Sequence, residues 1–220
     1  MKYKCLILDH DDTVVASTEA IHYPSFIEYL KIARPGLEKN YTFESFINKN
    51  FNPGILSLLC DEVGLNEREL DEEQEFWSNF VNTRVPAAYS GMGELISRFR
   101  EMGGIIAVSS HSMNSFIERD YRENGLPMPD VIYGWDMQKE LRKPSPYAVE
   151  ELMRIYVFER SEILMVDDLK PGFDMARAAG IDFAAAGWGY DVPEIKAFMT
   201  EHSDFYLNSV SELEKLLFKD

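Results

Sequence analysis

Short apolar runs recur along the chain at YKCLIL (3–8), GIIAVS (104–109), PDVIYG (129–134), EILMVD (162–167) and DFAAAG (182–187). Each is brief and most lack polar alternation, as strands do when helices cover both their faces. Between them apolar residues return at helical spacing. GMGELISRFREMG carries Leu95, Ile96, Phe99 and Met102 and stops at Gly103–Gly104. SPYAVEELMRIYVF repeats Val149, Leu152, Met153 and Tyr156, and PGFDMARAAG is a short helix ended by Gly180. SVSELEKLLF closes the pattern, with Ser209 as N-cap and Glu212 at the third helical position. Strand alternating with helix predicts an open parallel α/β sheet.

Residues 18–86 break this rhythm. They hold no strand run of that kind, only helical candidates at 19–33, 42–50, 53–64 and 66–83, separated by RPG, KN and VGLN. Pro24 falls inside the first, so that helix begins late or kinks there. NERELDEEQEFWSNFVNT is acidic on one face and carries Leu70, Phe76, Trp77 and Phe80 on the other, which predicts a core of the segment's own. The predicted architecture is a Rossmann-like three-layer α/β core formed by 1–17 and 87–220, with parallel strand order 3-2-1-4-5. Residues 18–86 form a small all-helical cap domain, hinged near VVAS and TRVPAAYSG. Such a lid can close over the carboxyl ends of the strands and exclude water.

The composition narrows the partners. Among 220 residues, 38 Asp and Glu against 22 Lys and Arg leave a net charge of −16, which repels nucleic-acid backbones and small anions alike. A phosphate site here must therefore carry its own lysine or metal. Cys5 and Cys60 lie in apolar contexts and read as two buried thiols rather than a bridge. No run reaches the ~20 apolar residues of a membrane span, and MKYK leads straight into the first strand without room for a signal peptide. The expectation is a cytoplasmic protein with no nucleic-acid, membrane or protein partner.

The strand ends hold the chemistry. The first strand ends at Asp9, the second at Ser109 and the fourth at Asp167–Asp168, while Lys143 follows the third and is stiffened by Pro144. In the order 3-2-1-4-5 the first strand lies between the second and fourth, so Asp9, Ser109 and Asp168 converge. Carboxylates from different strands suit Mg²⁺, a hard cation that prefers oxygen. A lysine and a hydroxyl suit a phosphoryl group. Asp9 can then attack phosphorus, and Asp11 can protonate the leaving oxygen and later activate water. His10 points away from Asp9 and Asp11 in an extended run and reads as structural, whereas His111, in the loop after the second strand, is a candidate substrate contact.

The DxDxT segment (Asp9, Asp11, Thr13), Ser109, KPxP (Lys143, Pro144, Pro146) and VDDLKPGFDMARAAG together resemble the haloacid dehalogenase superfamily. The resemblance is greatest to the branch of phosphoglycolate phosphatase and beta-phosphoglucomutase, whose helical cap follows the first strand. It implies that Asp9 is the nucleophile of an aspartyl-phosphate and, with the Asp11 backbone carbonyl, Asp168 and Asp167, a ligand of Mg²⁺. It makes Asp11 the general acid/base and gives Ser109 and Lys143 the phosphate. Asp167, Asp168 and Gly172 match the branch's acid–Asp–Gly spacing, with Asp174 a helix residue near the site. Asp12 stands where relatives usually have glycine and reads as a solvated substitute. Ala16 replaces a frequent aspartate. His22 falls one residue beyond the usual position of a cap histidine, a displacement of about 100° on a helix, so that role is not carried over. The implied activity is Mg²⁺-dependent hydrolysis of a small phosphorylated metabolite. The alternatives are a sugar phosphomutase, then a haloacid dehalogenase or a non-catalytic protein on the same fold.

Overall fold

The computed structural model describes residues 1–218. In chain order the strands are β1 (Cys5–Leu8), β2 (Val15–Ala16), β3 (Ala87–Ala88), β4 (Ile105–Ser109), β5 (Val131–Tyr133), β6 (Ile163–Asp167), β7 (Asp182–Ala186) and β8 (Phe205–Leu207). One six-stranded sheet has the order β5-β4-β1-β6-β7-β8, with every neighbouring pair parallel. The expected five-strand order stands, extended at one edge by β8. That strand is three residues long, too short to display a period of two.

The helices are α1 (Tyr23–Ala33), α2 (Phe43–Phe51), α3 (Ile55–Ser57), α4 (Glu67–Asn82), α5 (Met92–Glu101), α6 (Asn114–Glu123), α7 (Tyr147–Tyr156), α8 (Lys170–Ala179), α9 (Pro193–His202) and α10 (Val210–Leu217). Alternate strand residues supply two cores. Cys5, Ile7, Ala107, Met165 and Phe183 face one way, with Leu152 of α7, Met175 of α8 and Met199 of α9. Leu6, Leu8, Val108, Leu164 and Val166 face the other, with Phe99 of α5, Ile117 of α6 and Leu213 of α10. Each fully buried Val, Leu, Ile, Phe or Met side chain among them is worth about 1.5–3 kcal/mol over its exposed state. These two apolar faces are why the strand runs show no polar alternation. Ser209 caps α10 by accepting from the Glu212 N–H at 3.2 Å.

Between β2 and β3 the chain is helical. Thr18–His22 forms a π-helical turn, and α1 starts at Tyr23 with Pro24 in its first turn, where the missing N–H costs nothing. Thr42 and Asn66 cap α2 and α4 with reciprocal capping boxes. Phe26, Leu30, Phe46, Ile47 and Leu59 form the apolar interior of this segment, and Leu70 and Phe76 pack against it. Trp77 and Phe80 depart from the expectation. They pack with Ile21, Val81 and Phe116, so that α4 meets α6 of the sheet layer. The segment's two connections to the sheet pair with each other, Val15 with Ala88 and Ala16 with Ala87, antiparallel.

Both cysteines are free, Cys5 buried as expected but Cys60 exposed, because Leu58 and Leu59 take the inward positions of their turn. Among the described residues no helix is long and apolar enough to cross a membrane.

Candidate active site

Asp9 follows β1 directly, Asp167 ends β6 and Asp168 follows it, so all three reach the carboxyl edge of the sheet. One carboxylate oxygen from each lies within 4.8 Å of the others. Lys143 enters from the segment before α7, and its Nζ donates to Asp9 Oδ1 at 2.7 Å and to Asp167 Oδ2 at 2.6 Å. Burial alone pulls a lysine pKa down, but Asp167 and Asp9 outweigh it and hold Lys143 above its ordinary value as an ammonium.

One ammonium does not offset three buried carboxylates. Burial and the charge of Asp9 push Asp167 up to about 7 against the pull of Lys143. Burial and the repulsion of Asp167 and Asp9 push Asp168 well above the usual range, although the Tyr190 hydroxyl donates to its Oδ2 at 2.8 Å. This surplus of negative charge on hard oxygen donors fits a divalent cation of the magnesium type. Asp167 contributes differently from Asp9 and Asp168. Its Oδ2 receives Lys143 and its Oδ1 receives the Leu169 N–H at 2.8 Å, so both of its oxygens already hold a partner. The chain comes close enough because residue 172 is glycine: a Cβ there would lie 2.1 Å from Asp167 Oδ2. Asp174 lies outside the cluster and pairs with Lys170 one helical turn back, at 2.6 Å.

Asp11 has its own set of partners. Its Oδ1 accepts from Ser17 Oγ at 2.6 Å and lies 2.9 Å from His22 Nε2, while its Oδ2 accepts from Ser112 Oγ at 2.6 Å. Burial would raise its pKa, but the imidazole and hydroxyl donors win and hold the carboxyl well below the usual range. The His22 contact corrects the sequence reading. The π-helical turn, with Ser17 O accepting from His22 N at 3.3 Å, absorbs the extra residue that on an α-helix would have turned the ring away.

Trp77 Nε1–H donates to His22 Nδ1 at 3.0 Å, the rings stacked 5.9 Å apart. Nδ1 is therefore the acceptor and Nε2 carries the proton toward Asp11. Burial favours the neutral ring, and Asp11 overcomes it and lifts the His22 pKa. The indole works in the opposite sense, since Nδ1 accepts only while it is unprotonated.

Asp12 also departs from the expectation of a solvated side chain. It is 5% exposed, with φ of 55°, the left-handed region that favours glycine. Its Oδ1 accepts the backbone N–H groups of Ser17 and Thr18, both at 3.2 Å, and so ties the turn after Asp9 to the start of the helical segment. Burial pushes its pKa up to about 6.

A cavity of about 200 Å³ opens over these groups, lined by Asp9, Asp11, Lys143 and Asp168 below and by the helical segment above. Ser109 does not line it: its hydroxyl is buried 3.9 Å from Met175 Sδ, because Ser109 still belongs to β4 and pairs with Tyr133. Ser110 and Ser112, in the loop beyond, stand on the wall instead. His111 lines the cavity. Its Nε2–H donates to the Lys143 carbonyl at 3.1 Å, and burial, then Lys143, lowers its pKa to about 4. His10 faces away, 3.0 Å from Asp120. Sequence reasoning missed Ser17, Ser112 and Tyr190, and did not assign Trp77 and His22 to the site. No local signal marks the first three: Ser17 reaches Asp11 through the turn that follows it, and Ser112 and Tyr190 arrive from other parts of the chain.

The sequence matches the haloacid dehalogenase-like hydrolase family over residues 6–186. It is 27% identical over 142 residues to a phosphoglycolate phosphatase of Mesorhizobium japonicum, covering 63% of this chain and 63% of that one, less than two thirds of its length. It is 28% identical over 160 residues to a phosphoglycolate phosphatase of Vibrio parahaemolyticus, covering 72% and 68%. Among solved structures, a haloacid dehalogenase-like hydrolase from Bacteroides fragilis superposes with a TM-score of 0.80 at 18% identity, over 96% of this chain and all of that one.

Proposed function

Because the chain belongs to the haloacid dehalogenase-like hydrolase family, we propose that it is a Mg²⁺-dependent phosphatase that hydrolyses a small phosphomonoester through an aspartyl-phosphate on Asp9. The observation that carries this reading is the Lys143 ammonium held between Asp9 and Asp167 at 2.7 and 2.6 Å, with Asp168 in the same cluster. The names of the curated relatives support it.

In this reading a carboxylate oxygen of Asp9 attacks phosphorus, the new O–P bond forms, and the bond to the leaving oxygen breaks. Asp11, a carboxylate in the free site, relays the phosphoryl proton of the substrate monoanion to that oxygen, and the His22 Nε2–H at 2.9 Å holds its carboxyl in line. Water then attacks the phosphoenzyme, Asp11 takes a proton from it, and the Asp9–phosphorus bond breaks. Lys143 holds phosphoryl oxygens and keeps the Asp9 charge from repelling them, while Ser110 offers a hydroxyl on the wall. Asp9 and Asp168, with the Asp11 backbone carbonyl, would hold Mg²⁺, and Asp167 would anchor Lys143 beside them. When bound, the cation offsets carboxylate–phosphate repulsion and stabilises charge in transfer. Residues 18–86 act as a cap that excludes water from the phosphoenzyme until the alcohol has left.

A panel of phosphorylated metabolites assayed with Mg²⁺ tests the reading. Turnover of a panel member should vanish in Asp9→Asn, and inactivity across the panel would contradict it. The His22–Asp11 contact also favours a second reading, a phosphomutase that returns the phosphoryl group to its product. Dependence of turnover on a bisphosphate activator separates the two.

A further inference from the structure

The cavity walls differ sharply from its floor. The floor offers Lys143 as its cation, and that ammonium is already shared by Asp9 and Asp167. The upper walls are Phe26, Phe46, Ile47, Leu59, Trp77 and Trp135. Among the described lining residues no other lysine and no arginine appears. The cations nearest in sequence are engaged elsewhere: Lys170 pairs with Asp174, and Arg142 lies over the Trp135 ring, 3.9 Å from its centroid, while donating to the Met137 carbonyl. The polar groups that the helical segment adds are Thr18, His22, Asn50, Glu73 and Gln74, and the His22 ring is already engaged by Asp11 and Trp77. Glu73 sits one helical turn before Trp77 on α4, is half-buried, and its burial pushes its carboxyl up to about 7.

A substrate whose phosphoryl group sits at Asp9 uses Lys143 and the cation site there. A second anionic group on the same molecule would meet aromatic rings, the neutral amides of Asn50 and Gln74 and the Glu73 carboxyl, with no ammonium or guanidinium to pair it. An unpaired charge taken out of water is costly, and a like charge beside it adds to the cost. Walls of this kind reject by repulsion as well as select by contact.

Resting on the phosphatase reading, we propose that the substrate is a phosphomonoester with one anionic end only. Its alcohol portion is uncharged and largely apolar and presents a hydrogen-bond donor to Glu73. Phosphoglycolate, with its carboxylate, and sugar bisphosphates are therefore poor substrates for this chain, despite the names of its relatives.

The test compares matched esters with Mg²⁺ present: 4-carbamoylphenyl phosphate against 4-carboxyphenyl phosphate, and phosphoglycolamide against phosphoglycolate. Within each pair the shape is preserved and a carboxylate replaces an amide. The neutral ester should be favoured at least tenfold in kcat/KM in both pairs. Glu73→Lys should bring the ratio toward one or below it by accelerating the carboxylate ester, and Glu73→Gln should narrow it by a smaller factor. An unchanged circular dichroism spectrum and a cooperative thermal transition report that each variant is folded. Equal or faster turnover of the carboxylate esters by the unmodified chain would overturn the inference and leave the phosphatase reading standing. Absence of turnover on all four esters and on the wider metabolite panel would overturn both.

Discussion

Trp77 donates its indole N–H to His22 Nδ1 at 3.0 Å, and this bond fixes which nitrogen of the ring presents a proton to Asp11. Trp77→Phe keeps an aromatic ring against Phe116 and removes only the donor. Nitrogen-15 NMR of the His22 ring should report the Nε2–H tautomer in the unmodified chain and a mixture of tautomers in the variant. Turnover should fall about fivefold, the rate equivalent of one hydrogen bond of about 1 kcal/mol. An unchanged tautomer would show that Asp11 alone sets the ring.

Lys143 holds two buried carboxylates at once. Replacing it with Met leaves Asp9 and Asp167 facing each other without a counter-charge. Removing one partner of a buried pair costs about 3–5 kcal/mol. Urea denaturation without metal should show a loss of that size, and turnover should fall below detection even where the variant remains folded.

Metal dependence can be read without activity. If Asp9 and Asp168 hold the cation, Mg²⁺ at 100 times its Kd adds about 2.7 kcal/mol to stability, seen as a rise in Tm that chelation with EDTA reverses. Asp168→Asn should lose most of that rise, whereas Asp174→Asn, whose carboxylate pairs with Lys170, should keep it.

Glu73 makes stability depend on pH. Its folded pKa of about 7 lies above the ordinary 4.5 because the site is buried. Below the ordinary value both folded and unfolded states are protonated and the group costs nothing. As pH rises from 4.5 to 7 the unfolded chain releases its proton first, so the folded state loses stability relative to it, and above 7 the loss is complete. Glu73→Gln has no such term. Its Tm advantage over the unmodified chain should be near zero at the acid end, grow through that window and level off above it.

Asp12 combines a glycine-like backbone with a hydrogen-bonding side chain. Asp12→Asn keeps the acceptor and removes a charge that burial disfavours, so it should be close to neutral in Tm. Asp12→Gly keeps the backbone and loses the two bonds to Ser17 and Thr18. Asp12→Ala loses both advantages and should be the least stable of the three.

The sheet and its chemistry were legible because both are local. An uninterrupted apolar run ending in Asp9, and another ending in Asp167, announce strands and acids together. Lys143 was legible from the proline beside it. Helices α6 and α9 carry weaker signals: α6 sets Phe116, Ile117 and Tyr121 among charged neighbours, and α9 opens on Pro193 and spreads Ile195, Ala197, Phe198 and Met199 around the helix. The contacts that tune Asp11 were hidden for a different reason. Ser112 meets it across 101 residues of chain, and His22 reaches it only through a π-helical turn, which the periodicity of an α-helix does not anticipate. Ser109 and Ser110 are both hydroxyl residues, so only the end of β4 decides which one faces the cavity.

The proposed chemistry turns on a phosphoryl group carried by Asp9. Its most direct test is acid quenching during turnover of 4-carbamoylphenyl phosphate with Mg²⁺, followed by mass spectrometry of the peptide that contains Asp9. A phosphoryl adduct on Asp9 is expected in the unmodified chain, and neither adduct nor turnover in Asp9→Asn. Turnover that survives Asp9→Asn, or an adduct located on another residue, would contradict it.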